Sequence, residues 1–298
     1  MKKLLALPLA LFLGSASADI KTVNVVWPFS PGSQQANMVR NLIESANKNQ
    51  SKYKFIFLSK PGAGGSIAAN YVKDSSEISI LSSTDSFYIR PGLYENSHNT
   101  SDFSLVGLVC AGQPLGLYTQ TKTELSQLKN REFTIGIIQG SITNLVSQSF
   151  LKNNSSFRAR EVFYRGTVEA TQDLVGGHID MSVDLMGENV LSQFNNIKVL
   201  GITGTENRAN FQTLKSLGIQ GLDKLVVNYY LFVRSNLTDD LQEEFYKILN
   251  PMTVTSVQTL CEKDLGKLES KSRPDLKVMH LNNQQYWKSQ TKDITKAK

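Results

Sequence analysis

Cysteine and histidine are scarce: the 298 residues include 2 Cys and 3 His. Standing far apart, they provide no metal-ligand spacing and no disulfide framework. Positive charge is never concentrated either. No run of five or more Lys and Arg occurs and the basic residues are scattered among acids, which excludes a nucleic-acid footprint. No apolar stretch approaches the roughly 20 residues of a membrane-spanning helix. What remains, 40% hydrophobic with 20 Gly and 8 Pro, is ordinary globular composition and excludes disordered and collagen-like classes. A chain of this length buries about 75% of its unfolded surface and exceeds the common size of one compact unit, so two lobes are expected.

The first 18 residues read as an export signal. Met1-Lys2-Lys3 precedes the apolar run Leu4 to Leu13, and Ala16-Ser17-Ala18 forms a small-residue cleavage site before Asp19. Ten apolar residues are too few to anchor the chain in a bilayer, and no Cys follows the cleavage site to carry a lipid. The 32 basic and 26 acidic residues give +6. Without Lys2 and Lys3 the balance is 30 against 26, or +4, a mild excess that suits an anionic ligand. Cys110, in LVGLVCAG, and Cys261, in SVQTLCEKDL, are expected as two separate buried thiols.

Beyond Asp19, β-branched or aromatic runs alternate with segments of helical period, which predicts an α/β fold with a mostly parallel sheet. Strand Thr22 to Trp27 leads through a loop into a helix with the apolar stripe Met38, Val39, Leu42, Ile43 and Ala46. Strand Tyr53 to Leu58, the turn Pro61 to Gly65 and helix Ser66 to Lys73 follow, then strand Ile78 to Leu81. The middle repeats the pattern, with strands Phe133 to Ile138, Glu161 to Arg165, Ile179 to Asp184 and Lys198 to Thr203. Helical segments near Asn144 to Leu151, Val168 to Val175 and Gly187 to Phe194 separate them. Leu105 to Thr119 and Lys224 to Val233 are too long and apolar for loops and read as strands crossing between lobes. Helices near Thr238 to Leu249 and Val254 to Lys263 and a strand Leu276 to Leu281 close the chain. Lobe 1 is then 19–117 plus 229–298, lobe 2 is 118–228, and the crossings form a hinge beside an interlobe cleft.

Two loops look able to hold an anion. Pro28-Phe29-Ser30-Pro31-Gly32-Ser33-Gln34-Gln35 joins a strand to a helix, and Gly32 lets a ligand approach the amides of that helix start. Gln139-Gly140-Ser141-Ile142-Thr143-Asn144 repeats the arrangement in the second lobe. Facing each other across a hinge, four to six charge-assisted hydrogen bonds from such loops suffice for a micromolar carboxylate complex. Pro61-Gly62-Ala63-Gly64-Gly65-Ser66 lacks the Gly-Lys-Ser/Thr ending of a nucleotide loop and reads as a close-packing turn, with Gly64 and Gly65 as secondary cleft positions. No cofactor is expected.

No catalytic residue can be assigned. Neither Ser33 nor Ser141 lies in G-x-S-x-G, and His98, His178 and His280 fall in a polar loop, a Gly-Gly turn and a late strand. Asp180 and Asp184 share a strand face, but a turn role for the first and a strand-end role for the second outweigh an acid pair.

WPFSPGSQQANMVR, SKPGAGGSIAANYV, STDSFYIRPGLY, GSITNLVSQSF, VFYRGTVEATQDLVGGHIDMSVD, VLGITGTENR and NYYLFVRSN occur in this order. The ordered set, spanning essentially all of the chain after the signal, resembles the Bug family, the substrate-binding proteins of tripartite tricarboxylate transporters. The resemblance implies a two-lobed, type II-like periplasmic binding protein. Its cleft would take a small carboxylate, such as a dicarboxylate, an amino acid, nicotinate or an aromatic acid, through backbone amides and bridging water, for delivery to inner-membrane transporter subunits. The family's first loop, P-F-x-P-G-G-x-x-D, falls on Pro28, Phe29, Pro31, Gly32, Ser33 and Ala36. Its second, similar to G-[TS]-x-x-H, falls on Gly140, Ser141 and Asn144. Ser33, Ala36 and Asn144 replace a usual glycine, acid and histidine, which leaves amide binding intact and alters what meets the ligand's far end. Gln34 and Thr143 complete the two loops, and Thr84, Ser86, Tyr164 and Asp184 are expected to contact the rest of the ligand. A monomer is expected. A periplasmic sensor docking onto a membrane receptor is the alternative partner arrangement, and an enzyme acting on a carboxylate is a third reading.

Overall fold

A computed structural model of the chain describes residues 20–129, 131–186 and 194–292. The expected signal segment lies outside these residues, as does all but Phe194 of the expected helix Gly187 to Phe194.

The first lobe begins with β1 (Lys21–Trp27), which pairs in parallel with β2 (Tyr53–Ser59) and β3 (Ser79–Thr84). Between β1 and β2 runs α1 (Gln34–Asn49), whose predicted stripe Met38, Val39, Leu42, Ile43 and Ala46 is buried. Ser33 caps it, its hydroxyl accepting from the Ala36 amide at 3.2 Å. α2 (Ser66–Asp74) follows β2. Strand β3 runs to Thr84 rather than Leu81, because Ser82, Ser83 and Thr84 pair with the late strand β9 (Val226–Arg234) and are buried.

A helix absent from the sequence reading, α3 (Ser86–Leu93), comes next. Pro91 inside it concealed the period, since Pro lacks the amide that would bond the Phe87 carbonyl. His98 takes that place: Nε2 lies 2.8 Å from the Phe87 oxygen, and Nδ1 lies 3.2 Å from the Ser66 hydroxyl. His98 stands in the expected loop but is buried, and that burial pushes its pKa down to about 4.

The two expected crossing stretches are real strands. β4 (Phe103–Gln120) pairs antiparallel with β9 over its first part. From Leu115 onward it pairs antiparallel with β7 (Met181–Leu185) and, from Gly116, with β8 (Ile197–Ile202). β5 (Glu132–Ile138) lies parallel to both β6 (Arg158–Tyr164) and β7. After β4 comes the short α4 (Leu125–Leu128), and α5 (Ile142–Asn153) and α6 (Thr167–Gly176) follow β5 and β6. The strand order is β2-β1-β3-β9-β4-β7-β5-β6, with β8 attached to β4. The sheet is therefore mixed: parallel inside each lobe, antiparallel where the crossing strands join them.

Two expectations need correction. Leu276 to Leu281 is not a strand but part of a helix, Arg273–Gln290. Ser272 and Asp275 form a reciprocal capping box at its start, Pro274 stands in its first turn, and the buried Arg273, Leu276, His280 and Trp287 keep helical spacing. Cys110 and Cys261 are not separate thiols: they form a disulfide, with Cα atoms 5.7 Å apart. Cys110 lies on β4 and Cys261 on the helix Thr255–Lys263, while the reciprocal Ala111–Lys267 backbone bonds (2.9 and 2.8 Å) draw the chain beyond that helix onto β4. A separation of 151 residues gave the sequence no means of showing this.

Asp85 ties three distant segments together. It accepts from the Asn228 amide at 2.6 Å, the Tyr230 hydroxyl at 3.0 Å and Trp287 Nε1 at 3.1 Å. Burial nevertheless outweighs those donors and pushes its pKa up to about 6.

A neutral buried His98 adds stability at and above its unfolded pKa of about 6.5 and loses it as the pH falls toward about 4. The stability difference between wild type and His98→Gln, measured by denaturant unfolding, should therefore shrink across that interval; a constant difference contradicts the assignment. Reduction, or Cys110→Ser with Cys261→Ser, releases a loop constraint worth about 4 to 5 kcal/mol. Thermal melts should show the midpoint falling by several degrees under reductant, and no fall in the double variant.

Candidate functional site

The C-terminal ends of β1, β3, β5 and β7 and the start of α6 converge on one cleft. From the first lobe come Trp27, Phe29, Ser30, Ser33, Thr84 and Ser86; from the second come Ile138, Ser141, Ile142, Thr143, Thr167 and Asp184. Trp27 forms the apolar wall. Its ring meets Phe29 edge-on at 5.4 Å and stacks on Tyr229 at 6.2 Å, and its Nε1 donates to the Ser30 carbonyl at 3.2 Å. Hydroxyls supply much of the polar surface.

The two loops expected to face each other do so. Helices α1 and α5 both start at the cleft, each capped by a serine hydroxyl: Ser33 accepts from Ala36, and Ser141 accepts from the Thr143 amide at 3.1 Å. The amides of the second loop, however, are not bare. Gly140 donates to Asn144 Oδ1 at 3.1 Å, Ser141 to the Ile138 carbonyl at 3.2 Å, and Ile142 to Ser86 Oγ at 3.1 Å. Buried amides take the nearest oxygen, and here that oxygen is a protein side chain or carbonyl. The Ile142–Ser86 bond also crosses between lobes. A second crossing contact joins the Ser30 hydroxyl to Glu169. A third is steric: a Cβ on Gly64, at φ +58°, would stand 2.5 Å from the Gln139 carbonyl oxygen.

Thr84, Ser86, Ser33, Ser141, Thr143, Phe29 and Asp184 all line the cleft. Gly32 and Gln34 line an adjoining space with Gln35, Asp184 and Asp264. Gly140, Asn144 and Tyr164 are not brought to the cleft wall. Asn144 is buried, its amide group donating to Glu161 at 3.2 Å, and the Tyr164 hydroxyl donates to Asp173 at 2.6 Å. Gly65 packs toward Pro28, and Ala36 is sealed inside. Asp180 serves structure, bonded to Arg131 at 2.6 Å and to the Thr134 amide at 2.8 Å.

Sequence reasoning missed three contributors. Thr167 starts α6 after Gly166, a third glycine-hydroxyl helix start that the pattern used for the other two loops would have found. Tyr229 enters from β9, and Asp264 from the turn after the disulfide helix; neither carries a local signal.

Two carboxylates govern the electrostatics. Asp184 is 6% exposed and accepts from the Leu185 amide at 2.7 Å; burial pushes its pKa up to about 7. Asp264 is fully buried, and accepts from Gln34 at 2.5 Å and from Gln35 and Gln113 at 3.4 Å each. Burial first, and then the charge of Asp184, raise it to about 8. Among the described residues no group of His, Cys, Asp and Glu is arranged to hold a metal ion, and no helix is long and apolar enough to cross a membrane.

No model of a known protein family matches the chain, and no curated protein does. Solved structures do. The periplasmic binding protein BugD superposes with a TM-score of 0.81 at 18% identity, over 91% of this chain and 97% of its own. An R. palustris protein solved with adipate gives 0.79 at 17% identity, over 92% and 96% of the two chains. MatC of Rhodopseudomonas palustris, with bound malate, gives 0.78 at 17%, over 91% and 98%. The fold of this chain is thus that of the two-lobed Bug-type periplasmic binding proteins, as the ordered sequence stretches anticipated.

Proposed function

We propose that this chain is a periplasmic solute-binding protein of the Bug type, exported by residues 1–18, which closes over a small organic carboxylate for an inner-membrane tripartite tricarboxylate-type transporter. The observation that carries the reading is the cleft itself: a site ringed with hydroxyls, into which the starts of α1 and α5 point from opposite lobes. Helix starts and hydroxyl donors favour an anion. Two proteins of the same fold were solved with small carboxylates, one with adipate and one with malate. We take the lobes as 19–117 plus 229–298 and 118–228, with β4 and β9 as the hinge.

A carboxylate entering the cleft exchanges partners with the protein. The Ile142 amide leaves Ser86 Oγ for a ligand oxygen, and the hydroxyls of Ser33, Ser86, Ser141 and Thr143 turn to donate. Trp27 and Phe29 cover the ligand's carbon skeleton. Asp184, kept neutral at slightly acid pH by its burial, contributes a donor rather than a repelling charge. The reading is one of capture and release, with no bond made or broken.

Calorimetry of the purified protein against a carboxylate panel that includes adipate and malate should give saturable heat for at least one member. The affinity should weaken as pH rises through about 7, approaching tenfold per pH unit, because Asp184 then ionises beside the guest. Silence across the panel from pH 5 to 8 defeats the reading. An affinity that instead rises with pH marks a guest bearing an ammonium group. Gly64→Ala, whose added methyl meets the Gln139 carbonyl only when the lobes are shut, should lower affinity at least about tenfold while leaving the urea midpoint within a few tenths molar. Unchanged affinity would place that contact outside the closing motion.

A further inference from the structure

Arg90 lies one helical turn beyond Ser86 on α3, so both side chains share the face that meets the second lobe. Ser86 takes the Ile142 amide, and the Arg90 guanidinium rests against Gly140, where a Cβ would collide with it. Gly140 and its φ of +71° thus leave the space that the guanidinium fills. Arg90 is 6% exposed, and its Nε and Nη1 find no hydrogen-bond acceptor among the described residues. Its company is the Tyr94 ring, 3.8 Å from the guanidinium carbon, and the neutral His98. A buried cation with unmet donors is unfavourable. Its position makes it more so, because Gly140 adjoins the N-cap of α5, a twelve-residue helix whose start already carries partial positive charge. Two positive features therefore converge behind Ser141, whose other side lines the cleft.

We propose that Arg90 makes lobe closure depend on an anion: the shut form traps an uncompensated guanidinium against the Gly140 turn, and a carboxylate held at Ser141 and Ile142 supplies the missing charge. In the open form Arg90 stands in water and needs no partner. The empty protein is thereby biased open, and the loaded protein closes. Arg90 is a positioning and counter-charge residue rather than a direct ligand contact. This inference rests on the carboxylate reading of the cleft, yet its first consequence concerns the empty protein.

Small-angle X-ray scattering of the unliganded protein should show Arg90→Met and Arg90→Gln more compact than wild type, while Arg90→Lys stays as extended. The unliganded melting temperature of Arg90→Met should be equal to or above that of wild type. With the panel carboxylate that binds wild type best, Arg90→Met and Arg90→Gln should lose at least about tenfold in affinity and Arg90→Lys should recover most of it. Neutral variants no more compact than wild type, or a wild-type affinity in Arg90→Met, would overturn the proposal. A lower unliganded melting temperature in both neutral variants, unrescued by Lys, would also overturn it by showing that Arg90 only fills space. If wild type ignores every carboxylate while the neutral variants still compact, the cleft reading fails and the charge-dependent closure stands for another anion.

Discussion

The geometry at the cleft depends on one buried carboxylate. Asp85 stands between the last residue of β3 and the first turn of α3, and gathers donors from β9 and from the C-terminal helix. Those contacts fix the corner at which the chain turns from Thr84 to Ser86, and so aim Ser86 at Ile142 and the next turn of α3 at Gly140. The burial that makes the corner rigid also works against the charge that holds it, and the four-donor arrangement with Asn228 Nδ2 at 3.1 Å offsets part of that penalty. Fold and site meet at this residue.

Much of the architecture was readable because it is local. The stripe in α1, the β-branched or aromatic runs of β1, β2 and β5, and the serines at the two helix starts announce themselves within a few residues of sequence. So did the two crossing strands, as apolar stretches too long for loops. The failures share a cause, which is that the deciding group lies outside the segment itself. Pro91 disguised α3 because the group replacing its missing hydrogen bond, His98, stands outside the helix. Leu276 to Leu281 looked extended because Leu276 and the exposed Val278 imitate alternation, whereas the caps of that helix lie before the window.

The site was legible to the same degree and for the same reason. Both glycine-hydroxyl helix starts could be found by inspection, and they do face each other. That the second loop would satisfy its own amides could not be found, since Ser86 and Asn144 reach them only in three dimensions. Tyr164 and Asn144 carried promising chemistry, but each is spent on a neighbour, Asp173 and Glu161. Asp264 had no signal at all, yet with Asp184 it sets the acidity of the inner wall.

The disulfide fastens two parts of the first lobe that lie far apart in the chain. Cys110 lies in the stretch of β4 that still pairs with β9, five residues before β4 takes up β7, and the bridge welds that stretch to the helix beside α1. Just beyond the bridge stands Gly112, with φ at +64°, where the ladder with β9 shifts register. The first lobe is thus riveted to its end of the crossing strand. Such a rivet forms where thiols are oxidised.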